Sequence, residues 1–104
     1  MIVVLGSVLV RETEVPAALT ASLEHVRRSR LEPGCIEHGV SIDAEPPHRL
    51  VFVERWSSME ALETHFAVPG SRAFVRAIAA LASAPPSMSI FEANEVLPGN
   101  IAAN

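Results

Sequence analysis

The segment EPGCIEHGVSID, residues 32–43, decides the fold because it ends one element and begins another of a different kind. Pro33 cannot continue a helix, and Gly34 accepts the backbone angles of a tight turn, so the segment predicts a helix end. From Ile36 onward, apolar and polar residues alternate, which is the period of a strand with one apolar face. A helix that stops and a strand that follows at once indicate a mixed α+β domain.

Three further strands are predicted by composition. The run at 2–10 is rich in Val and Ile, which is typical of a strand buried on both faces. A second run at 50–56 pairs with the strand at 36–42 as a hairpin across the proline-containing loop at 44–49. The last strand is predicted at 87–96.

Two helices are predicted between these strands. The first begins near Pro16 and ends near Arg30, and its apolar stripe is formed by Leu19, Leu23 and Val26 at spacings of four and three. The second follows the hairpin and is split by the sequence VPG.

The resulting order is β-α-β-β-α-β with a split second helix, which predicts an α+β ferredoxin-like fold with both helices on one face of a four-stranded sheet. Ser57 or Ser58 caps the second helix, and the split falls at 68–70. The single domain is predicted to span 2–97, and residues 98–104 are predicted to form a flexible tail.

Such a sheet leaves one face uncovered. Val51 and Val53 point to one side of their strand, and Phe52 and Trp56 point to the other, so both faces carry apolar side chains. The same face of a second chain covers this surface most simply, and we therefore predict a homodimer through the open sheet face.

Composition restricts the class of protein. The chain has 104 residues, 49% of them apolar and 19% charged, which fits one globular domain. Its net charge of −4 argues against a nucleic-acid partner. The apolar start is shorter than the roughly 20 residues that span a bilayer, and it lacks the basic residues of a signal peptide. We therefore expect a cytoplasmic protein without a membrane partner.

Four stretches, EPGCIEHGVSID, VFVERW, MEALETHF and PGSRAF, resemble in sequence and order the antibiotic biosynthesis monooxygenase domain family, including its quinol-oxidising members. The match runs from Glu32 to Phe74. The resemblance implies a dimeric α+β barrel that oxidises a small aromatic or quinol-like substrate with O2, without metal or flavin. In such enzymes the substrate is held between sheet and helices, deprotonated and attacked by oxygen, which requires an apolar slot, a polar partner and little water.

Two histidines are the predicted catalytic residues. His38 lies on the apolar face of its strand, where the resemblance more often places a tyrosine. It is either a core histidine with satisfied hydrogen bonds or a proton acceptor that lines a pocket. His65 matches the helix histidine of the family, and it either faces the cleft or caps the ragged helix end.

The predicted substrate-binding residues allow two interpretations each. Glu54 and Trp56 point to the same side of a strand, and the carboxylate needs a partner such as a histidine, Arg72 or Arg76. An indole or a phenyl ring forms either a wall for an aromatic substrate or ordinary core. The predicted set is Phe52, Glu54, Trp56, Phe66 and Phe74.

Metal, thiol and haem chemistry are not predicted. The four histidines lack HxxxH or HxH spacing, so we expect no metal site, and His25 is placed on the outer side of its helix. The resemblance implies that no other cofactor is needed. Cys35 is expected to point away from the face of its strand that carries Ile36 and His38, and it is interpreted as a small hydrophobe. The haem-degrading branch of the fold uses Asn, Trp and His where this chain has Ser7, His65 and Val75.

Two alternatives to the monooxygenase remain, namely a non-catalytic dimeric binding or structural module and a lyase or isomerase of the same superfamily.

Overall fold

The computed structural model describes residues 1–101, which form a four-stranded antiparallel sheet with three helices on one face. The strands and helices are β1 (Ile2–Leu9), α1 (Val15–Ser29), β2 (Cys35–Ile42), β3 (Arg49–Trp56), α2 (Met59–Ala67), α3 (Pro69–Leu81) and β4 (Ser87–Glu92), with short 3₁₀ turns at Glu12–Glu14 and Pro98–Asn100. The strand order is β2-β3-β1-β4. The predicted ferredoxin-like fold with a split second helix is confirmed, and the sheet of one chain stays open.

Local chemistry explains where the helices begin and where α1 ends. The Ser58 hydroxyl accepts a hydrogen bond from the Ala61 backbone N–H at 3.1 Å and so caps α2. Pro69 opens α3, where its missing N–H costs nothing. Gly34 has φ of +83°, and a Cβ there would lie 2.5 Å from the Ala61 Cβ. The turn between α1 and β2 therefore requires glycine both for its backbone angle and for space.

The inner face of α1 differs from the predicted apolar stripe. Its buried residues are Ala18, Ser22, His25, Val26 and Ser29. Leu19 and Leu23 are only peripheral to the core. His25 is 5% exposed, so its predicted place on the outer side of the helix is wrong. Small side chains on this face let α1 pack against β2 and α3, and they turn the His25 ring inward.

A β-bulge near the start of β2 changes which way two side chains face. Cys35 pairs with Trp56, whereas Glu37 pairs with Arg55, so Ile36 is the extra residue. Cys35 packs against the core cluster around Trp56, and Ile36 is 49% exposed. The prediction that Cys35 points away from the face that carries His38 is wrong, because Cys35 and His38 both lie on the helix side of the sheet. Burial and two nearby carboxylates raise the pKa of its thiol, so Cys35 is a neutral packing residue.

The sheet face opposite the helices presents apolar side chains to solvent. Leu5, Val53 and Phe91 lie on this face and are 47%, 37% and 49% exposed. The prediction that the first strand is buried on both faces is therefore wrong for a single chain, because only the helix side of β1 is buried. Homodimer formation through this face stays a prediction.

The C-terminal part of the chain is less regular than predicted. β4 ends at Glu92 rather than at residue 96, and all six of its residues are exposed. Residues 98–100 form a 3₁₀ turn, and residues 102–104 of the predicted flexible tail lie outside the described residues. No helix in the described part of the chain is long and apolar enough to cross a membrane.

Candidate functional site

A cavity of about 310 Å³ lies between the sheet and the helices. This volume is at the lower end of the ~300–1,000 Å³ typical of small-molecule sites, so it suits a small ligand. The residues that line it include, on the apolar side, Phe52, Phe66, Phe74, Ile78 and Met88, and, on the polar side, His25, His38, Glu54, His65 and Ser71. An apolar slot therefore ends on a compact group of ionisable side chains.

Three buried histidines form the centre of that group, and each comes from a different element. His25 is on α1, His38 is on β2 and His65 is on α2, with exposed fractions of 5%, 2% and 2%. One ring nitrogen from each lies within 4.8 Å of the others. The structure thus brings the two predicted histidines together, adds a third, and shows which residues are placed to hold a metal ion.

The His65 ring is oriented by Glu32. The two side chains meet at 2.9 Å between Nδ1 and Oε1, so Nδ1–H donates to the carboxylate. That tautomer leaves a lone pair on Nε2, which lies 3.8 Å from Glu54 Oε1. The His65 side chain therefore faces the cleft, which was one of the two predicted arrangements.

Glu54 is the charged group beneath the histidines. The Trp56 indole N–H donates to Glu54 Oε1 at 2.9 Å, and His38 Nε2 lies 3.3 Å from the same oxygen. Burial favours a raised pKa for Glu54, but His38, Trp56 and His65 outweigh burial, and the net effect is a lowered pKa. The buried carboxylate therefore carries its charge at neutral pH. Its partners are histidines and an indole rather than Arg72 or Arg76, which are exposed.

Trp56 supports the site from below. It is fully buried in a core cluster, and the cavity is lined by Glu54 and not by the indole. Its ring centroid lies 4.6 Å from that of His65. Trp56 therefore contacts Glu54 and His65 without lining the cavity, whereas Phe52, Phe66 and Phe74 do line it.

His25 is held between Phe74 and Arg28. The Phe74 ring stacks on the imidazole with centroids 4.1 Å apart and planes at 6°, and Arg28 Nη2 donates to His25 Nδ1. Burial is the main cause that lowers the pKa of His25 to about 3, with His38 and His65 contributing next, so the ring is neutral. A Cβ on Gly70 would lie 2.6 Å from the Arg28 Cζ, so Gly70 leaves room for the guanidinium.

Two members of this cluster, His25 and Glu32, were missed in the sequence. A helix-face signal existed for one of them, because Ala18, Ser22, His25 and Ser29 recur at spacings of four, three and four. Glu32 carries no such signal, since it lies in the turn after α1. His48, by contrast, lies in the loop before β3, 4.0 Å from Glu12, and takes no part in the cluster.

The chain is thus an α+β domain of the ferredoxin-like class, with an open sheet and a cavity that carries a cluster of polar side chains. Residues 1–77 match the family described as antibiotic biosynthesis monooxygenase. The chain belongs to this family. A curated relative from Synechocystis, described as uncharacterised, is 30% identical over 94 residues, which are 90% of this chain. The chain spans 64% of that relative's length.

Solved structures share the fold closely. A candidate antibiotic biosynthesis monooxygenase from Deinococcus radiodurans has a TM-score of 0.89 and 24% identity, covering 99% of this chain and 100% of that one. A Bacteroides thetaiotaomicron protein described as a possible oxidoreductase of unknown function has a TM-score of 0.81 and 26% identity, covering 86% of this chain and 94% of that one. The predicted family membership is confirmed.

Proposed function

We propose that this protein is a cofactor-independent monooxygenase that oxidises a small aromatic, quinol-like substrate with O2. The observation that carries the proposal is a charged carboxylate and neighbouring histidines, all buried, at the closed end of an apolar cavity. A family whose structures include antibiotic biosynthesis monooxygenases supports the reaction class.

In the proposed reaction, the substrate ring lies against Phe52, Phe66 and Phe74, and its hydroxyl group points to the histidines. His38 or His65 accepts the hydroxyl proton, and the charge of Glu54 stabilises the imidazolium that forms. The substrate anion is electron-rich and reacts with O2. One oxygen atom enters the product and the other leaves as water with two hydrogens of the quinol, so the substrate supplies all the electrons.

Exclusion of water is the second requirement of this chemistry. The helices cover the three histidines and Glu54, each of which is at most 5% exposed. A low-dielectric setting strengthens the interaction between Glu54 and a protonated histidine. Phe66 is 37% exposed and also lines the cavity, so it lies where the slot meets solvent.

Oxygen consumption tests the proposal directly. In buffer treated with a metal chelator, the protein is expected to accelerate O2 uptake with dihydroxynaphthalene-type quinols and to form a product that contains one added oxygen. The control is the same mixture with heat-unfolded protein. If no member of a panel of phenols and quinols is oxidised above that control, the proposed reaction is excluded.

We also propose that a second copy of this chain covers the open sheet face. Replacing Leu5 by glutamate puts a charge at the centre of that face, and it is expected to convert a dimer into a monomer. Leu31→Glu is the matched control, because Leu31 is 87% exposed in the turn after α1 and its variant keeps the dimer. Sedimentation measures the mass, and a wild-type monomer at high concentration contradicts this proposal.

A further inference from the structure

We propose that His25, His38 and His65 bind one divalent ion of the zinc class, that is Zn²⁺, Co²⁺, Ni²⁺ or Cu²⁺. This inference does not depend on the proposed oxidation. It replaces the expectation of no metal site, which was based on the absence of HxxxH and HxH motifs in the sequence. Spacing motifs detect ligands on one element, whereas these three histidines come from two helices and a strand that are far apart in sequence.

The donor set is the first argument. Imidazole nitrogens suit these ions, and three histidines with one open position are typical of catalytic zinc sites. The three ring nitrogens lie within 4.8 Å of one another. Zn–N bonds of about 2.0–2.1 Å in a tetrahedron place the nitrogens about 3.3 Å apart, so binding requires the ring nitrogens to approach one another by up to about 1.5 Å. All three histidines line the cavity, so a fourth ligand can reach the ion from there.

The second argument is an unsatisfied histidine. His38 is 2% exposed, and within residues 1–101 neither of its ring nitrogens has a hydrogen-bond partner. Glu54 Oε1 is 3.3 Å from Nε2 but outside hydrogen-bond geometry. A buried polar group without a partner costs roughly 1–3 kcal/mol. Coordination of an ion by one of these nitrogens removes the cost for that nitrogen.

The surroundings of the histidines are the third argument. Glu32 accepts the Nδ1–H of His65 and leaves Nε2 free, which is the carboxylate–histidine arrangement that supports metal ligands in many proteins. Glu54 adds a buried negative charge next to His38 and His65. Both carboxylates therefore favour a cation among the three rings.

Arg28 opposes binding. Its guanidinium donates to His25 Nδ1, and it brings a positive charge close to the site. An ion that binds Nδ1 of His25 must displace the arginine. An ion that binds Nε2 requires the ring proton to be on Nδ1, and there Arg28 offers no acceptor for it. We therefore expect Arg28→Ala to tighten metal binding, while substitution of a ligand histidine weakens it.

The experiment is titration of the metal-free full chain with Zn²⁺ by calorimetry and with Co²⁺ by visible absorption, without any aromatic substrate. One equivalent is expected to bind, with the intense absorption of tetrahedral Co²⁺. His25→Gln, His38→Gln and His65→Gln are each expected to weaken binding by at least about tenfold. His48→Gln is the matched control and is expected to leave the affinity unchanged. Circular dichroism shows whether each variant is folded.

Several outcomes overturn the inference. These are the absence of saturable binding, an equal loss in His48→Gln, and full affinity in any folded variant of the three ligands. Weaker rather than tighter binding in Arg28→Ala overturns the role given to the arginine. Because no substrate is present, these results are independent of whether quinols are oxidised. A bound ion takes the lone pairs of His38 and His65, so Zn²⁺ is expected to inhibit any oxidation that uses them.

Discussion

The variant with alanine at both 38 and 65 is expected to lose quinol oxidation by about 10²–10⁴-fold, which is the usual contribution of a positioned proton acceptor. His38 and His65 are the histidines whose nitrogens lie closest to Glu54, at 3.3 and 3.8 Å. Either ring is placed to accept the proton while the other remains, so each single variant is expected to lose less than the double variant.

Oxygen uptake in chelator-treated buffer measures this effect, and His48→Ala is the control because that histidine lies outside the cavity. His38→Gln with His65→Gln provides a second double variant that keeps a polar side chain at each position and protects against loss of folding. A folded double variant that oxidises quinols at the wild-type rate excludes both histidines as the proton acceptor.

Replacing Trp56 by alanine is expected to destabilise the protein by about 3–5 kcal/mol, as large-to-small changes at buried tryptophans do. The side chain is fully buried and packs in a cluster with Ile2, Val4 and Leu62. It also donates to Glu54, so the variant leaves a buried carboxylate with one donor fewer. Domains of this size are stable by roughly 5–15 kcal/mol, so the loss is a large share of the total.

Trp56→Phe separates packing from hydrogen bonding. It keeps most of the apolar volume and removes the N–H, so we expect a smaller loss of about 1.5–3 kcal/mol, the range for hydrogen bonds to charged groups. Urea unfolding at one fixed protein concentration measures both variants, because dimer formation makes the stability depend on concentration. A cost below 1 kcal/mol for Trp56→Ala would contradict the packing that the structure shows.

Much of the fold was predictable because its boundaries are set by short-range chemistry. Pro33 and Gly34 end the first helix region, Ser58 caps the second helix, and Pro69 opens the third. The hairpin was predicted from alternation, which also put Glu54 and Trp56 on the same side of their strand, and the structure joins these two by a hydrogen bond. Local signals of this kind do not depend on what packs against them.

The errors arose where tertiary contacts decide. The apolar stripe of Leu19 and Leu23 suggested one orientation of α1, but α1 packs against β2 and α3 with the face that carries Ser22 and His25. The bulge at the start of β2 leaves the alternating pattern intact in the sequence while it moves Cys35 to the helix side. Likewise, no local pattern distinguishes a tryptophan that lines a cavity from one beneath it.

The three histidines are separated by 13 and 27 positions along the chain, and each stands on its own element. No single helix or strand contains more than one of these histidines, so detaching α1, α2 or β2 would separate the three rings. Loss of the histidine cluster on heating should therefore follow the same sigmoidal curve as global melting, because the cluster exists only while the whole domain is folded.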